Sequence, residues 1–445
     1  SAPGLGPGGR RFESCHPDSI TKTVQSVGLH RFCISVFFII FAAMNESKRL
    51  PRVLVVNKFY YRRGGDCVYT LNLEHMLRSA GHEVAVFAMR YPLNESADWE
   101  DYFPTEVSFS GSLTQKLRAV RRMLGSDDVA SCFTALLNDF RPEIVHLSNI
   151  HSYLSPALAS IAHALGIKVV WTLHDYKLLC PSYSRLSGGK VCDRCHSSRF
   201  KTCVLHTRCM KSSGVASILA WIESLRWRRR MLSRDTDAFI CPSAFMAHEM
   251  ELGKYPVEKL YTLNNFIPAI PAPPTGQRGK YYCYVGRLSE EKGVETLLEA
   301  ATMLQHELRI AGSGPLYGKL KAKYDSWPQI TFLGQLDSDG VAKLLGEAAC
   351  SVLPSEWYEN NPLGIIESLC AGTPVVGAEI GGIPELIDDN NGLTFTPGDS
   401  KALAAAIDAA VYGPWNHEQI RRDAISRFNP ETYYARLLSI YKSIL

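Results

Sequence analysis

The sequence predicts an α/β protein of two tandem doubly wound domains, each a parallel sheet with helices on both faces. Three observations predict it. From Arg52 onwards, short apolar runs alternate with stretches of helical periodicity, the pattern of βαβ units. The runs are almost wholly apolar, as in strands covered on both faces. A Pro/Gly-rich stretch, Ile267 to Gly279, divides the pattern into two series, as an interdomain linker does. A chain of 445 residues is long enough for both.

Taken in order, residues 1–43 differ from the rest. They are Gly/Pro-rich at the start, and their apolar run, Cys33 to Met44, is too short to span a bilayer. Arg31 before that run and Ala42-Ala43 after it outline a weak signal peptide. The favoured reading takes Met44 as the natural start and residues 1–43 as a non-native or disordered extension. The first domain is expected over 44–265. Its strands are Arg52–Asn57, Glu83–Met89, Ile144–Leu147, Lys168–Leu173 and Asp237–Cys241, with a helix through Tyr69, Leu73 and Leu77 that stops at Gly81. Residues 266–280 are the linker. The second domain, 281–428, has strands Tyr281–Val285, Leu308–Ala311, Ile330–Phe332 and Cys350–Leu353, and another opening at Val375. Residues 429–445 form an amphipathic terminal helix through Tyr433, Leu437 and Tyr441.

Composition restricts function only broadly. Hydrophobic residues make up 46% and charged residues 21%, an ordinary globular balance. A net charge of +4 is too small to imply a nucleic-acid partner. Thirteen Cys without a plausible secretory leader suggest a reducing, cytoplasmic location.

Open parallel sheets bind ligands at their carboxyl ends, so the residues that follow strands are the candidates. Behind Leu353-Pro354 comes Glu359, then a loop of Asn360, Asn361, Pro362, Leu363 and Gly364, then Glu367 inside a helix. Pro362 suits a helix start. Loop amides and a helix N-terminus favour a phosphate or a polyhydroxyl group, and two carboxylates can accept from sugar hydroxyls. Gly286-Arg287 and Lys292 occupy the turn after the second domain's first strand, where two cations can neutralise a diphosphate. Gly312 and Gly314 make the next turn. Gly64 and Gly65 follow the first strand, His174 follows Leu173, and His146, Asn149 and His151 are candidate acceptor residues. The Asp-x-Asp pairs Asp235/Asp237 and Asp337/Asp339 read as a strand opening and a helix cap, not as metal sites.

The run SEWYENNPLGIIESLCAGTPVV from Ser355, with GRLSEEKG from Gly286, resembles the retaining glycosyltransferases of family 4. The resemblance spans residue 52 to the C-terminus and implies the GT-B fold, two Rossmann-like domains facing a central cleft, with the terminal helix crossing back to the first. It implies that Glu359 holds sugar hydroxyls and Glu367 the nucleotide ribose. It implies that Arg287 and Lys292 bind the diphosphate in place of a divalent ion, so that catalysis requires no cofactor. His174 would reach the donor sugar, and the Gly64-Gly65 amides would face the diphosphate from across the cleft. The implied reaction moves a hexose, with retention, from a UDP- or GDP-hexose to a glycan or lipid-linked acceptor. The chain departs from the family's usual pattern at Pro268 and in the Asn-Asn-Pro-Leu loop, which leaves sugar identity open. A degenerate transferase serving as a scaffold and a sugar-nucleotide epimerase of the same architecture are the alternatives.

Two further features stand out. Cys180, Cys192, Cys195, Cys203 and Cys209 form a Cys-rich insertion. Four thiolates, or three with His196 or His206, fit a structural zinc site. An iron–sulfur cluster and a loop of reduced thiols are the other readings. Val215 to Arg234 reads as one amphipathic helix with a basic, aromatic flank, and Lys116, Arg118, Arg121 and Arg122 as a basic patch without acids. Such faces suit the anionic inner surface of the cell membrane; a core helix with a solvated basic face is the alternative.

Overall fold

A computed structural model describes residues 49–109, 111–125, 127–196, 198–268 and 278–445. The expectations for residues 1–43 and for most of the linker lie outside these. Residues 51–78 and 82–445 form one compact unit that contains both sheets. Of the other unit, residues 49–50 and 79–81 are described, the latter a helix end and turn with Gly81 at φ 93°.

The first sheet comprises β1 (Val53–Val56), β2 (Val84–Phe87), β3 (Ile144–Leu147), β4 (Lys168–Thr172), β7 (Ala238–Cys241) and β8 (Leu260–Thr262), while β5 (Leu186–Ser187) and β6 (Lys190–Val191) make a separate antiparallel hairpin. The second sheet comprises β9 (Tyr282–Val285), β10 (Leu308–Ala311), β11 (Ile330–Gly334), β12 (Cys350–Leu353), β13 (Val375–Ala378) and β14 (Gly392–Phe395). The orders are β2-β1-β3-β4-β7-β8 and β11-β10-β9-β12-β13-β14. Neighbours pair in parallel throughout both sheets. Every residue of β1, β2, β3 and β7 is buried, as strands covered by helices on both faces require.

In each sheet the chain first steps outward, then returns to the other side of its first strand. The order therefore reverses between β1 and β3 and between β9 and β12. These two switch points are where a doubly wound sheet opens a crevice at its carboxyl end.

The terminal helix Pro430–Ile444 lies against the first domain. The hydroxyl of Tyr433 meets that of Tyr69 at 2.5 Å, Tyr434 meets His82 Nε2 at 3.0 Å, and Tyr441 meets His146 Nδ1 at 2.6 Å. Asn429 caps this helix by accepting from Thr432 N at 2.6 Å. Asp337 likewise caps the helix Ser338–Glu347 through Gly340 N at 2.8 Å.

Two expectations are corrected. The single helix expected over 215–234 is two, Gly214–Arg226 and Arg229–Arg234. The break is at Trp227, whose buried ring donates from Nε1 to Met123 O at 2.7 Å. Arg122 is not part of an open basic patch: it is 1% exposed and binds Asp128 at 2.6 Å. The five cysteines of the insertion are placed as follows. Cys195 and Cys203 are paired with each other, Cys180 is buried beside Ser182, and Cys192 and Cys209 are free thiols. Among the described residues no group of three or more His, Cys, Asp or Glu is arranged to hold a metal ion.

Candidate active site

The site is built at the two switch points. On the second sheet, β12 ends at Leu353 and the chain loops through Ser355 to Glu359 before the helix Leu363–Cys370, with Pro362 at its N-cap. Glu359 is 6% exposed. Its Oε1 accepts from Lys292 Nζ and from Ser355 Oγ, both at 2.6 Å. Burial alone would raise this carboxyl, but the Lys292 ammonium and the Ser355 hydroxyl hold it below the usual carboxylate range. Lys292 comes from the turn after β9, so the ion pair joins the strands that flank the switch point. Arg287, from the same turn, is exposed and makes no ion pair among the described residues.

Glu367 is set differently. It is half-buried and its carboxyl has no hydrogen-bond partner among the described residues. Burial pushes it up to about 7. Two carboxylates eight positions apart therefore have opposite titration behaviour, one compensated by a cation and one not.

The glycines serve the turns. A Cβ at Gly312, at φ 137°, would collide with the carbonyl of Gly286, and one at Gly314 would collide with the backbone of Leu288. Their small size lets the turns after β9 and β10 touch. Gly65, by contrast, has no atom within 4 Å of where a Cβ would stand, so packing does not require glycine there. Gly64 O accepts the first amides of the helix Gly65–Ser79, from Cys67 and Val68, both at 3.0 Å.

On the first sheet, His174 follows β4. Its Nε2 is buried without a partner, and burial holds the imidazole neutral, down at about 4. Tyr69 packs edge-on at 4.6 Å. Of the other histidines, His146 is committed to structure: Nδ1 meets Tyr441 and Nε2 meets Thr172 Oγ1 at 2.8 Å. His151 stacks on Trp171 at 5.2 Å. Asn149 Nδ2 donates to Asp66 at 3.1 Å.

The two halves of the site are tied together by Asn360 and Asn361. Asn360 Nδ2 donates to Leu173 O at 2.7 Å and its Oδ1 accepts from Ser243 Oγ at 2.8 Å. Asn361 Oδ1 accepts from Asn265 N at 2.7 Å. Both side chains thus close the cleft, while the expected role at a donor would fall to the loop's backbone with Pro362, Leu363 and Gly364. Because Asn360 follows Glu359 and Leu173 precedes His174, this one hydrogen bond joins the Glu359 loop of the second sheet to the His174 segment of the first. Sequence reasoning missed a second tie, Glu385, whose carboxylate accepts from Ala244 N at 2.7 Å and Phe245 N at 2.5 Å. It caps the helix Ala244–Leu252 from across the cleft, and nothing in the local sequence announces a partner 140 residues away.

Comparison with known proteins agrees with this architecture. Glycogen synthase of Mycobacterium tuberculosis is 32% identical over 214 residues, 45% of this chain and 51% of that protein, so the match spans about half of the relative's length. An uncharacterized 42.6 kDa protein in the cps region of Klebsiella pneumoniae is 24% identical over 353 residues, 75% of this chain and 87% of that protein. The amylovoran biosynthesis glycosyltransferase AmsK of Erwinia amylovora is 34% identical over 178 residues, 36% of this chain and 44% of that protein. Among solved structures, the lipopolysaccharide outer core galactosyltransferase WaaB superposes with a TM-score of 0.61 at 16% identity, over 88% of this chain and all of that one. Anabaena HepE, in complex with UDP-glucose, superposes with a TM-score of 0.62 at 17% identity over the same shares. Residues 63–269 match the family described as Glycosyltransferase Family 4, and residues 269–427 that described as Glycosyl transferases group 1. With these matches in tandem across both sheets, the chain belongs to the family 4 glycosyltransferases of GT-B fold.

Proposed function

We propose that the protein is a retaining hexosyltransferase that moves a hexose from a nucleotide-diphosphate sugar to a glycan or lipid-linked acceptor. The observation that carries the reading is the Asn360–Leu173 bond, which joins the loop of the Lys292–Glu359 pair to the segment of the neutral His174. Arg287 and Lys292 bind the diphosphate and stabilise the charge that develops as the glycosidic bond breaks. Glu359, ionised, accepts from sugar hydroxyls, and Glu367 from the ribose. His174 Nε2 bonds the sugar on the first-domain side. The acceptor hydroxyl enters on the face that the diphosphate leaves, and the leaving phosphate takes its proton, so no carboxylate nucleophile is needed. These residues perform the chemistry without a cofactor. HepE, of the same fold, was solved with UDP-glucose, which supports a nucleotide-sugar donor here.

The same reading puts the enzyme in the cytoplasm, against the inner face of the membrane. No described helix is long and apolar enough to cross a membrane. However, Leu113 and Leu117 are 74% and 58% exposed on a helix that also exposes Lys116, Arg118 and Arg121, and Val215 and Ile218 are 72% and 49% exposed on the helix that ends at exposed Arg226. That combination favours an anionic bilayer surface. Thermal shift against UDP, GDP, ADP and their hexose conjugates tests the donor. A shift with one base and its conjugate is expected, and no shift with any of them would overturn the proposal.

A further inference from the structure

The donor site leaves one cluster at the cleft unused. Phe59 and Tyr61 follow β1, Tyr91 follows β2 and Tyr153 follows β3, so all four rise from the carboxyl edge of the first sheet. Ring centres lie 5.7 Å apart for Phe59–Tyr61, 5.3 Å for Phe59–Tyr91, 5.9 Å for Phe59–Tyr153 and 5.8 Å for Tyr61–Tyr91. Phe59 is buried beneath the others; the three tyrosines are half-buried. Among the described residues none of the three hydroxyls has a hydrogen-bond partner, so each is available to a ligand. Flat apolar faces edged with free hydroxyls suit a pyranose ring, whose C–H face stacks while its hydroxyls are bonded.

Two cations are held against the same ring. The Arg63 guanidinium is 4.2 Å from the centre of Phe59. The Lys58 ammonium is 5.7 Å from Phe59 and 5.8 Å from Tyr153. Neither makes an ion pair among the described residues. Of the nearby acids, Asp66 accepts from Asn149, Asp175 accepts from Lys177 N at 2.8 Å and is raised by burial against the pull of the Lys58 ammonium, and exposed Glu106 acts with Arg63 on Tyr91. Two like charges held on one ring repel, and an anion placed between them removes the repulsion.

We infer that this cluster is an acceptor subsite selective for a pyranose that carries an oxyanion, with Tyr91 and Tyr153 on the ring and Arg63 and Lys58 on the anion. The inference rests on the transferase reading for the word acceptor, though not for the binding itself. The anion can come from a uronate carboxylate or from a sugar phosphate.

Calorimetric titration of the full chain with methyl glucuronide, glucose 6-phosphate and methyl glucoside tests it. At least one of the two acidic sugars should bind at least tenfold tighter than the glucoside, and the tighter of the two identifies the source of the anion. The gap should close at high ionic strength and in the double variant R63Q/K58Q, and Tyr91→Ala should weaken all three ligands. Equal binding of acidic and neutral sugars, no binding of any, or a gap that survives both high salt and the double variant would each overturn the inference. The salt series on unmodified protein decides the matter even where the variant does not fold. Nucleotide thermal shift is measured alongside. Acid preference without any nucleotide shift would support this subsite and overturn the donor reading, whereas a nucleotide shift without acid preference would do the reverse.

Discussion

The guanidinium of Arg185 lies 4.4 Å from the ring centre of Tyr358, the residue immediately before Glu359. Arg185 is buried, pairs with Asp193, and binds Glu249 at 2.7 Å; His196 reaches Glu249 at 3.1 Å. Tyr358 also packs on Phe245 at 5.1 Å. The Cys-rich segment therefore bears on the donor loop through stacking. Arg185→Ala leaves Glu249 buried without its guanidinium, so chemical denaturation should show a loss of about 3–5 kcal/mol. Arg185→Lys should recover little, since an ammonium neither stacks nor forks. Tyr358→Phe should stay within about 0.5 kcal/mol of the parent, because its hydroxyl bond to exposed Asp193 is long at 3.3 Å.

Lys292 and Glu359 should behave as a coupled pair. Lys292→Met strands a buried carboxylate and should cost about 3–5 kcal/mol. Adding Glu359→Gln should recover part of that loss while transfer stays absent. Additive losses in a double-mutant cycle would show that the 2.6 Å contact is energetically idle. Because the Glu359 carboxyl is depressed in the folded state, the stability it contributes is present above the unfolded carboxylate value and is lost as pH falls through its lower folded value.

Glu367 should give the opposite profile. Its folded value, about 7, lies above its ordinary 4.5, so between those values the folded chain holds a proton that the unfolded chain has released. This site then lowers stability as pH rises through that window, by at most about 1.4 kcal/mol per pH unit, and is level above it. Nucleotide affinity should rise as pH passes from 6 to 8 and the carboxylate becomes able to accept from the ribose. Glu367→Gln should flatten both profiles, which melting curves and titrations at several pH values will check.

His174 should stay neutral across the working range, since burial holds it down at about 4. His174→Ala should lower kcat by about 10- to 1000-fold with little change in nucleotide affinity, because its proposed contact is to the sugar and not the base. A fall in affinity for the free nucleotide diphosphate alone would place the imidazole elsewhere in the cleft.

Much of the fold was legible in the residues because apolar runs such as Val53–Val56 and Val375–Ala378 can only be covered strands. The Glu359 and Lys292 loops were legible because they follow such strands directly. Contacts between distant segments were not. Asn360 reads as a ligand-facing loop residue until Leu173 O is seen beside it. Arg122 reads as one cation of a patch, since its partner Asp128 lies across a helix break. His146 looks like a site residue by its place near the carboxyl end of a strand, but the terminal helix supplies a partner for it. The helix break at Trp227 was hidden because its cause is Met123 O, 104 residues earlier.

The terminal helix also has a consequence for biosynthesis. The first sheet is made early, yet Tyr69, His82 and His146 each gain a hydroxyl partner from Tyr433, Tyr434 and Tyr441 of the terminal helix. A ribosome making this chain holds an unfinished first domain until the codons for residues 430–444 are read. A message cut short just before the Pro430 codon would yield a protein with every proposed donor-site residue present and its first domain unsealed.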